Sequence, residues 1–393
     1  MEYHISERLS ALKPSAIREI FKATADPSII PFAAGNPAPE SFPVDVVRTF
    51  SAEILQNDPI TALQYGITEG YPTLRSLLRE RMKNIFHCGN KEDELVVVSG
   101  AQQGAELAAK ALCDEGDTVL CEDPSFIGVL NAFRSLRLRI KGIPVEDDGL
   151  DLHALEKALQ TENRVRMLYI IPNFQNPTGI TTSTEKRKAI YALARKYNII
   201  ILEDNPYGEL RFSGSNLPHI KSFDEDGRVV YLGSFSKILS AGLRVGYVLG
   251  PSIIVQKMVV AKQGEDVHTA MLPQMIATRF LQWDGFPAHL EKIRALYRQK
   301  CGKMIAGIQE FFDPRILHTN PDGGLFLWCT LPKGVDMLAY CRTAIDKGVA
   351  VVPGSAFAAD PVASSQSFRL TFASPSEKQI HEGLSILGSI SLS

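Results

Sequence analysis

Short apolar runs punctuate the middle of the chain: Leu95–Ser99, Thr118–Glu122, Met167–Ile171, Ile199–Glu203, Val229–Gly233 and Gly246–Leu249. They do not alternate with polar positions, which is the pattern of strands covered on both faces. Helix-forming stretches such as Gln102–Leu112 and Glu185–Lys196 lie between them. The pattern predicts an α/β domain with a mostly parallel sheet and helices on both faces. In such sheets ligands sit at the carboxyl ends of strands. After Gly250 the pattern changes. Residues 251–312 read as helices. A strand at Leu325–Leu331, a helix at Met337–Lys347, strands at Val349–Val352 and Ser367–Phe372, and a helix from Ser376 follow, as in a smaller α+β domain. An N-terminal stretch with a helix near Ser15–Ala25 is expected to join it. At 393 residues the chain is too long for one ordinary core. The expected division is therefore discontinuous: a large domain over 46–285, and a small one over 1–45 with 286–393.

Composition narrows the function classes. The chain is 45% hydrophobic and 22% charged, as in a globular protein. Its 42 basic and 44 acidic residues leave a net charge of -2, without the basic excess of a nucleic-acid binder. No apolar run reaches the length of a membrane span. The polar, charged start Met1–Ser10 does not read as a secretory signal. The six cysteines are scattered and none forms a Cys-x-x-Cys pair, so no metal site is expected. They read as reduced thiols of a cytoplasmic protein.

Chemistry is suggested at four strand ends. Gly233-Ser234-Phe235-Ser236-Lys237 is followed by Arg244. An amine that attacks a carbonyl must be deprotonated, which burial or nearby positive charge favours. Ser234, Ser236 and the planar fork of Arg244 suit a phosphate. The plainer alternative is a solvated Ser/Lys surface loop. Asp204 and Tyr207 stand in Glu203-Asp204-Asn205-Pro206-Tyr207. An acid at a buried strand end needs a partner such as a protonated ring nitrogen, although Asp204 also reads as a turn cap. Asn176 lies in Asn176-Pro177-Thr178-Gly179, which is turn chemistry or an amide donor to a ligand. In Ser99-Gly100-Ala101-Gln102 a strand passes into a helix, whose first N–H groups bind phosphate well. The glycine spacing matches neither a dinucleotide fingerprint nor a P-loop.

In this order along the chain, the motifs resemble the class I/II aminotransferases of the fold type I pyridoxal-phosphate family. The likeness covers nearly the whole chain. It includes Gly35-Asn36-Pro37, Gln64-Tyr65-Gly66, Gly323-Gly324-Leu325-Phe326-Leu327-Trp328 and Phe368-Arg369-Leu370. The resemblance implies pyridoxal 5′-phosphate as cofactor, with Lys237 its Schiff-base lysine and the catalytic base. Asp204 then pairs with the pyridine nitrogen, and Asn176 and Tyr207 bond the phenolic oxygen. Gly100, Ala101, Gln102, Ser234, Ser236 and Arg244 hold the phosphate, and Phe126 stacks on the ring. Arg369 takes the substrate α-carboxylate, with Gly35 and Asn176 alongside. Tyr65 reaches the cofactor phosphate of a second subunit, which implies a homodimer.

Two departures from the family pattern bear on the cofactor. Ala101 lacks the hydroxyl that many relatives carry there, and Phe126 lacks the hydrogen bond of the more usual Tyr or Trp. The stretch Pro14–Pro43 resembles the subgroup of 2-aminoadipate and kynurenine aminotransferases, in some of which an arginine matching Arg18 meets an acidic substrate's distal carboxylate. As a lone helix charge, Arg18 also reads as solvated. The expected reaction moves an amino group between an L-amino acid and a 2-oxo acid by a ping-pong route, with glutamate and 2-oxoglutarate as one pair. A β-lyase or decarboxylase uses the same cofactor residues and stands as the alternative. A sensor domain behind a DNA-binding domain is less expected, because the landmarks begin by Ser15 and the charge is balanced.

Overall fold

The computed structural model describes residues 3–10, 26 and 28–392, and the expected helix near Ser15–Ala25, with Arg18, lies outside them. The large sheet contains β1 (Asp93–Val98), β2 (Thr118–Asp123), β3 (Arg139–Glu146), β4 (Gly149–Leu150), β5 (Val165–Ile170), β6 (Ile200–Asn205), β7 (Val229–Ser234) and β8 (Gly246–Pro251). Their order across the sheet is β1-β8-β7-β6-β5-β2-β3-β4. β3, β2, β5, β6 and β7 run parallel. β8 runs against both β7 and β1. The carboxyl ends of β1, β2, β5, β6 and β7 therefore share one edge, and β8 begins there.

The apolar runs are strands because both of their faces are covered. On β5, Met167 and Tyr169 enter one apolar cluster while Leu168 and Ile170 enter a second on the opposite face. Side chains alternate across a strand, so burial of both faces makes every position apolar. β3 was not among the expected strands. It carries Arg139, Lys141, Pro144 and Glu146 near the sheet edge, and most of its side chains are exposed or half-buried.

A second, antiparallel sheet has the order β11-β12-β10-β9, from β9 (Leu317–His318), β10 (Phe326–Thr330), β11 (Val352–Pro353) and β12 (Ser367–Thr371). The strand expected at Val349–Val352 pairs in this sheet only from Val352, while Val349 bridges to Ile30. Helices occupy Ser252–Gln263, Met271–Gln282 and Phe286–Phe311. The last packs along the final helix, Glu377–Gly388, which starts at a reciprocal cap between Ser376 and Gln379. One continuous apolar cluster passes from the large sheet (Val96, Leu232) to the small one (Phe326, Leu370). Among the described residues, no helix is long and apolar enough to cross a membrane.

Candidate active site

The four motifs converge on the shared strand edge. Lys237 lies just beyond β7 and donates from Nζ to the carbonyl of Gly35 at 3.1 Å. Its Nζ is 6.0 Å from the ring centre of Tyr207. Burial, helped by the charges of Arg244 and Arg369, pushes its amine down from 10.5 to about 8. A larger share is thus unprotonated near neutral pH than for an exposed lysine, as a nucleophilic amine requires.

Asp204, at the end of β6, is 3% exposed. Its Oδ2 accepts from the Tyr169 hydroxyl at 2.8 Å, while Oδ1 has no partner among the described residues. Burial lifts this carboxyl to about 7. An unsatisfied buried carboxylate oxygen is expensive, so the site favours a cationic N–H donor at that point. Glu122, at the end of β2, is also fully buried and accepts from the Ile171 amide at 2.9 Å. Burial raises it to about 8 against that bond and one from Gln175, and the charge of Asp204 adds to the rise.

Tyr207 connects these groups. Its hydroxyl lies near the Asn176 side chain, and its ring meets Phe326 edge-on with centres 5.8 Å apart. Burial pushes its phenol well above the ordinary value. Asn176 Oδ1 accepts from Arg369 Nη1 at 2.8 Å, which leaves its amide nitrogen as a donor. Arg369 Nη2 donates to the Ala33 carbonyl at 2.7 Å, and its Nε has no partner among the described residues. Burial lowers Arg369 to about 10, so it stays cationic at neutral pH.

The other end of the site is built for an anion. Gly100, with φ of 87°, leads into the helix Ala101–Leu112, whose first amides have no intrahelical acceptor. A side chain at Gly100 would collide with the Arg244 guanidinium. Arg244 has a left-handed backbone (φ 53°) and donates to the Ser99 carbonyl at 3.1 Å. Ser234 Oγ accepts from the Ser236 amide at 3.1 Å. Gln102 directs its side chain to the Gly128 carbonyl, which leaves its backbone N–H as the donor it could offer an anion. Ala101 has no hydroxyl to add. Phe126 opens the helix Ile127–Ser135 after β2. Tyr65 is 81% exposed and packs edge-on against His268.

The sequence reading gave no role to Tyr169, Glu122, Phe326 or Phe357. A signal existed for the first two: a tyrosine and an acid inside apolar runs need buried partners. Phe326 and Phe357 look like ordinary core residues.

The family model for aminotransferases of class I and II matches residues 27–387. The chain belongs to this family. It is 37% identical over 387 residues to an aromatic-amino-acid aminotransferase of Thermococcus litoralis, covering 98% of this chain and 93% of that one. It is 39% identical to a 2-aminoadipate transaminase of Thermus thermophilus, covering 96% and 94% of the two chains. Its fold superposes on the Pyrococcus horikoshii kynurenine aminotransferase, crystallised with pyridoxamine phosphate and its substrate, with a TM-score of 0.94 at 36% identity, covering 98% and 96% of the chains. The aminotransferase is thus a pyridoxal-phosphate enzyme of fold type I. The residues present fit that cofactor: Asp204 Oδ1 offers a buried acceptor to the ring nitrogen. The helix at Gly100, together with Arg244, offers donors to the phosphate.

Proposed function

We propose that Lys237 carries the cofactor and moves the proton during amino-group transfer between an L-amino acid and a 2-oxo acid, in two alternating half-reactions. The observation that carries this reading is the amine of Lys237, shifted down to about 8 and held against Gly35 and Tyr207. The cofactor, when bound, supplies an electron sink for the substrate α-carbon. Asp204 keeps that sink cationic by pairing with its nitrogen, and Asn176 and Tyr207 orient it. Gly100, Ala101, Gln102, Ser234, Ser236 and Arg244 hold the phosphate, and Phe126 covers the ring. Arg369 fixes the α-carboxylate with its free edge, beside Gly35. Tyr65 serves the phosphate of a second copy, making a homodimer with shared sites; its exposure supports this.

Glutamate and 2-oxoglutarate form one substrate pair in this reading, supported by the likeness to a 2-aminoadipate transaminase. Arg18 selects the distal carboxylate. Replacing it with Gln should lower kcat/KM for glutamate and 2-aminoadipate far more than for a neutral amino acid; equal losses would remove its selective role. For the reaction itself, the test is spectroscopic. A donor amino acid should convert the visible absorbance of the lysine-bound cofactor, and a 2-oxo acid should restore it. Lys237→Ala should lack that absorbance. No conversion across a broad amino-acid panel would overturn transamination.

A further inference from the structure

Among the described residues, Arg369 is a buried cation without a counter-ion. It is 2% exposed, and among the described residues no carboxylate pairs with it. Its two direct acceptors are neutral: Asn176 Oδ1 and the Ala33 carbonyl. A buried charge in this position needs some other compensation. Two aromatic rings supply it. The guanidinium carbon lies over the Phe326 ring, 4.2 Å from its centre, and over the Phe357 ring, 5.0 Å from its centre.

Each ring is itself fixed. Phe326 is 1% exposed, begins β10 and meets Tyr207 edge-on. Phe357 is fully buried, closes the turn Gly354–Phe357 and meets Trp328 edge-on with centres 5.9 Å apart. Its carbonyl accepts from the Ser125 amide beside Phe126, which ties this turn to the end of β2. Trp328 and Val352 are the register partners of Arg369 across the small sheet. The rings thus cover guanidinium face and leave its edge, where Nε is unpartnered, for a planar acceptor.

We infer that Phe326 and Phe357 are positioning residues for the substrate carboxylate: their ring faces hold the Arg369 guanidinium in the plane in which it binds. The inference rests on the proposed role of Arg369 and adds a determinant of affinity that acts through the guanidinium. A branched apolar side chain of similar size fills space but has no π face. Phe357→Leu should therefore loosen the guanidinium without altering the cofactor. Phe326 also braces Tyr207, so Phe357 is the cleaner probe.

The experiment is a double-mutant cycle on the holoenzyme, read by calorimetric titration with 3-phenylpropionate, a carboxylate that lacks the amino group needed for turnover. Phe357→Leu should raise its Kd about tenfold, equivalent to about 1.4 kcal/mol. With an amino-acid substrate, KM should rise while kcat changes little, and the visible absorbance of the cofactor should not move. In an Arg369→Gln background, Phe357→Leu should have no further effect on Kd. Equal effects of Phe357→Leu in both backgrounds, or none in the wild type, would overturn the positioning role. If Phe357→Leu does not fold, Phe357→Met, which also lacks a π face, takes its place in the same cycle. If Arg369→Gln alone leaves Kd unchanged, the reading of Arg369 fails instead.

Discussion

Replacing Asp204 with Asn should have opposite effects on the apoprotein and on cofactor binding. Burial raises the folded-state pKa of Asp204 from 3.8 to about 7. Between those values the native state holds one proton more than the unfolded chain, so raising the pH through that window removes stability. Above pH 7 the full penalty, about 4 kcal/mol, is present; at pH 5.5 roughly half remains. Asn does not titrate. Its own buried amide carries a fixed cost that cancels when two pH values are compared. The stability difference between Asp204→Asn and wild-type apoprotein should therefore shift in favour of the variant by about 2 kcal/mol between pH 5.5 and pH 8. For a chain of this length that corresponds to roughly 2–3 °C in a thermal melt. Cofactor affinity should move the other way, because the charged partner of the ring nitrogen is gone. A rise in cofactor Kd of at least about a hundredfold is expected from fluorescence titration. A difference in melting temperature that is flat with pH would refute the burial argument, and an unchanged Kd would refute the pairing.

Three further outcomes follow from the geometry. The rate at which apoprotein takes up pyridoxal phosphate, measured by stopped flow, should rise with pH around a midpoint near pH 8, where half of the Lys237 amine is free; a midpoint near the ordinary lysine value would contradict the lowered pKa. Glu122 is raised to about 8 and so is protonated at neutral pH. Glu122→Gln should then change stability and cofactor affinity by less than about 1 kcal/mol, and a larger loss would mean that the native carboxyl is charged. Gly100→Ala forces a side chain into a backbone conformation open mainly to glycine and against Arg244. Cofactor Kd should rise about tenfold or more, and an unchanged Kd would show that the phosphate is held elsewhere.

Much of the fold was legible because the large sheet is covered on both faces. That burial makes Met167–Ile171 or Val229–Gly233 apolar at every position, and no alternation is needed to recognise them. β3 escaped because a half-exposed strand near the sheet edge can carry Arg139, Lys141 and Pro144. The motif residues Lys237, Asp204, Tyr207, Asn176 and Arg244 were legible for a local reason: each lies at a strand terminus or in the loop beside one, where apolar burial gives way to turn chemistry.

Other features depend on residues distant in the chain. Glu122 meets the Ile171 amide and is held protonated by an environment that no window of sequence contains. Tyr169 reads as one more apolar strand position until β6 places Asp204 beside its hydroxyl. Arg369 was named from its motif, yet its two neutral acceptors and two aromatic neighbours come from four separate segments. By itself the sequence determined which residues are candidates for the chemistry, because charge, hydroxyl and amide groups at strand ends can be read in order along the chain. Only the tertiary structure decided their protonation and orientation, because both depend on burial and on partners brought together by folding.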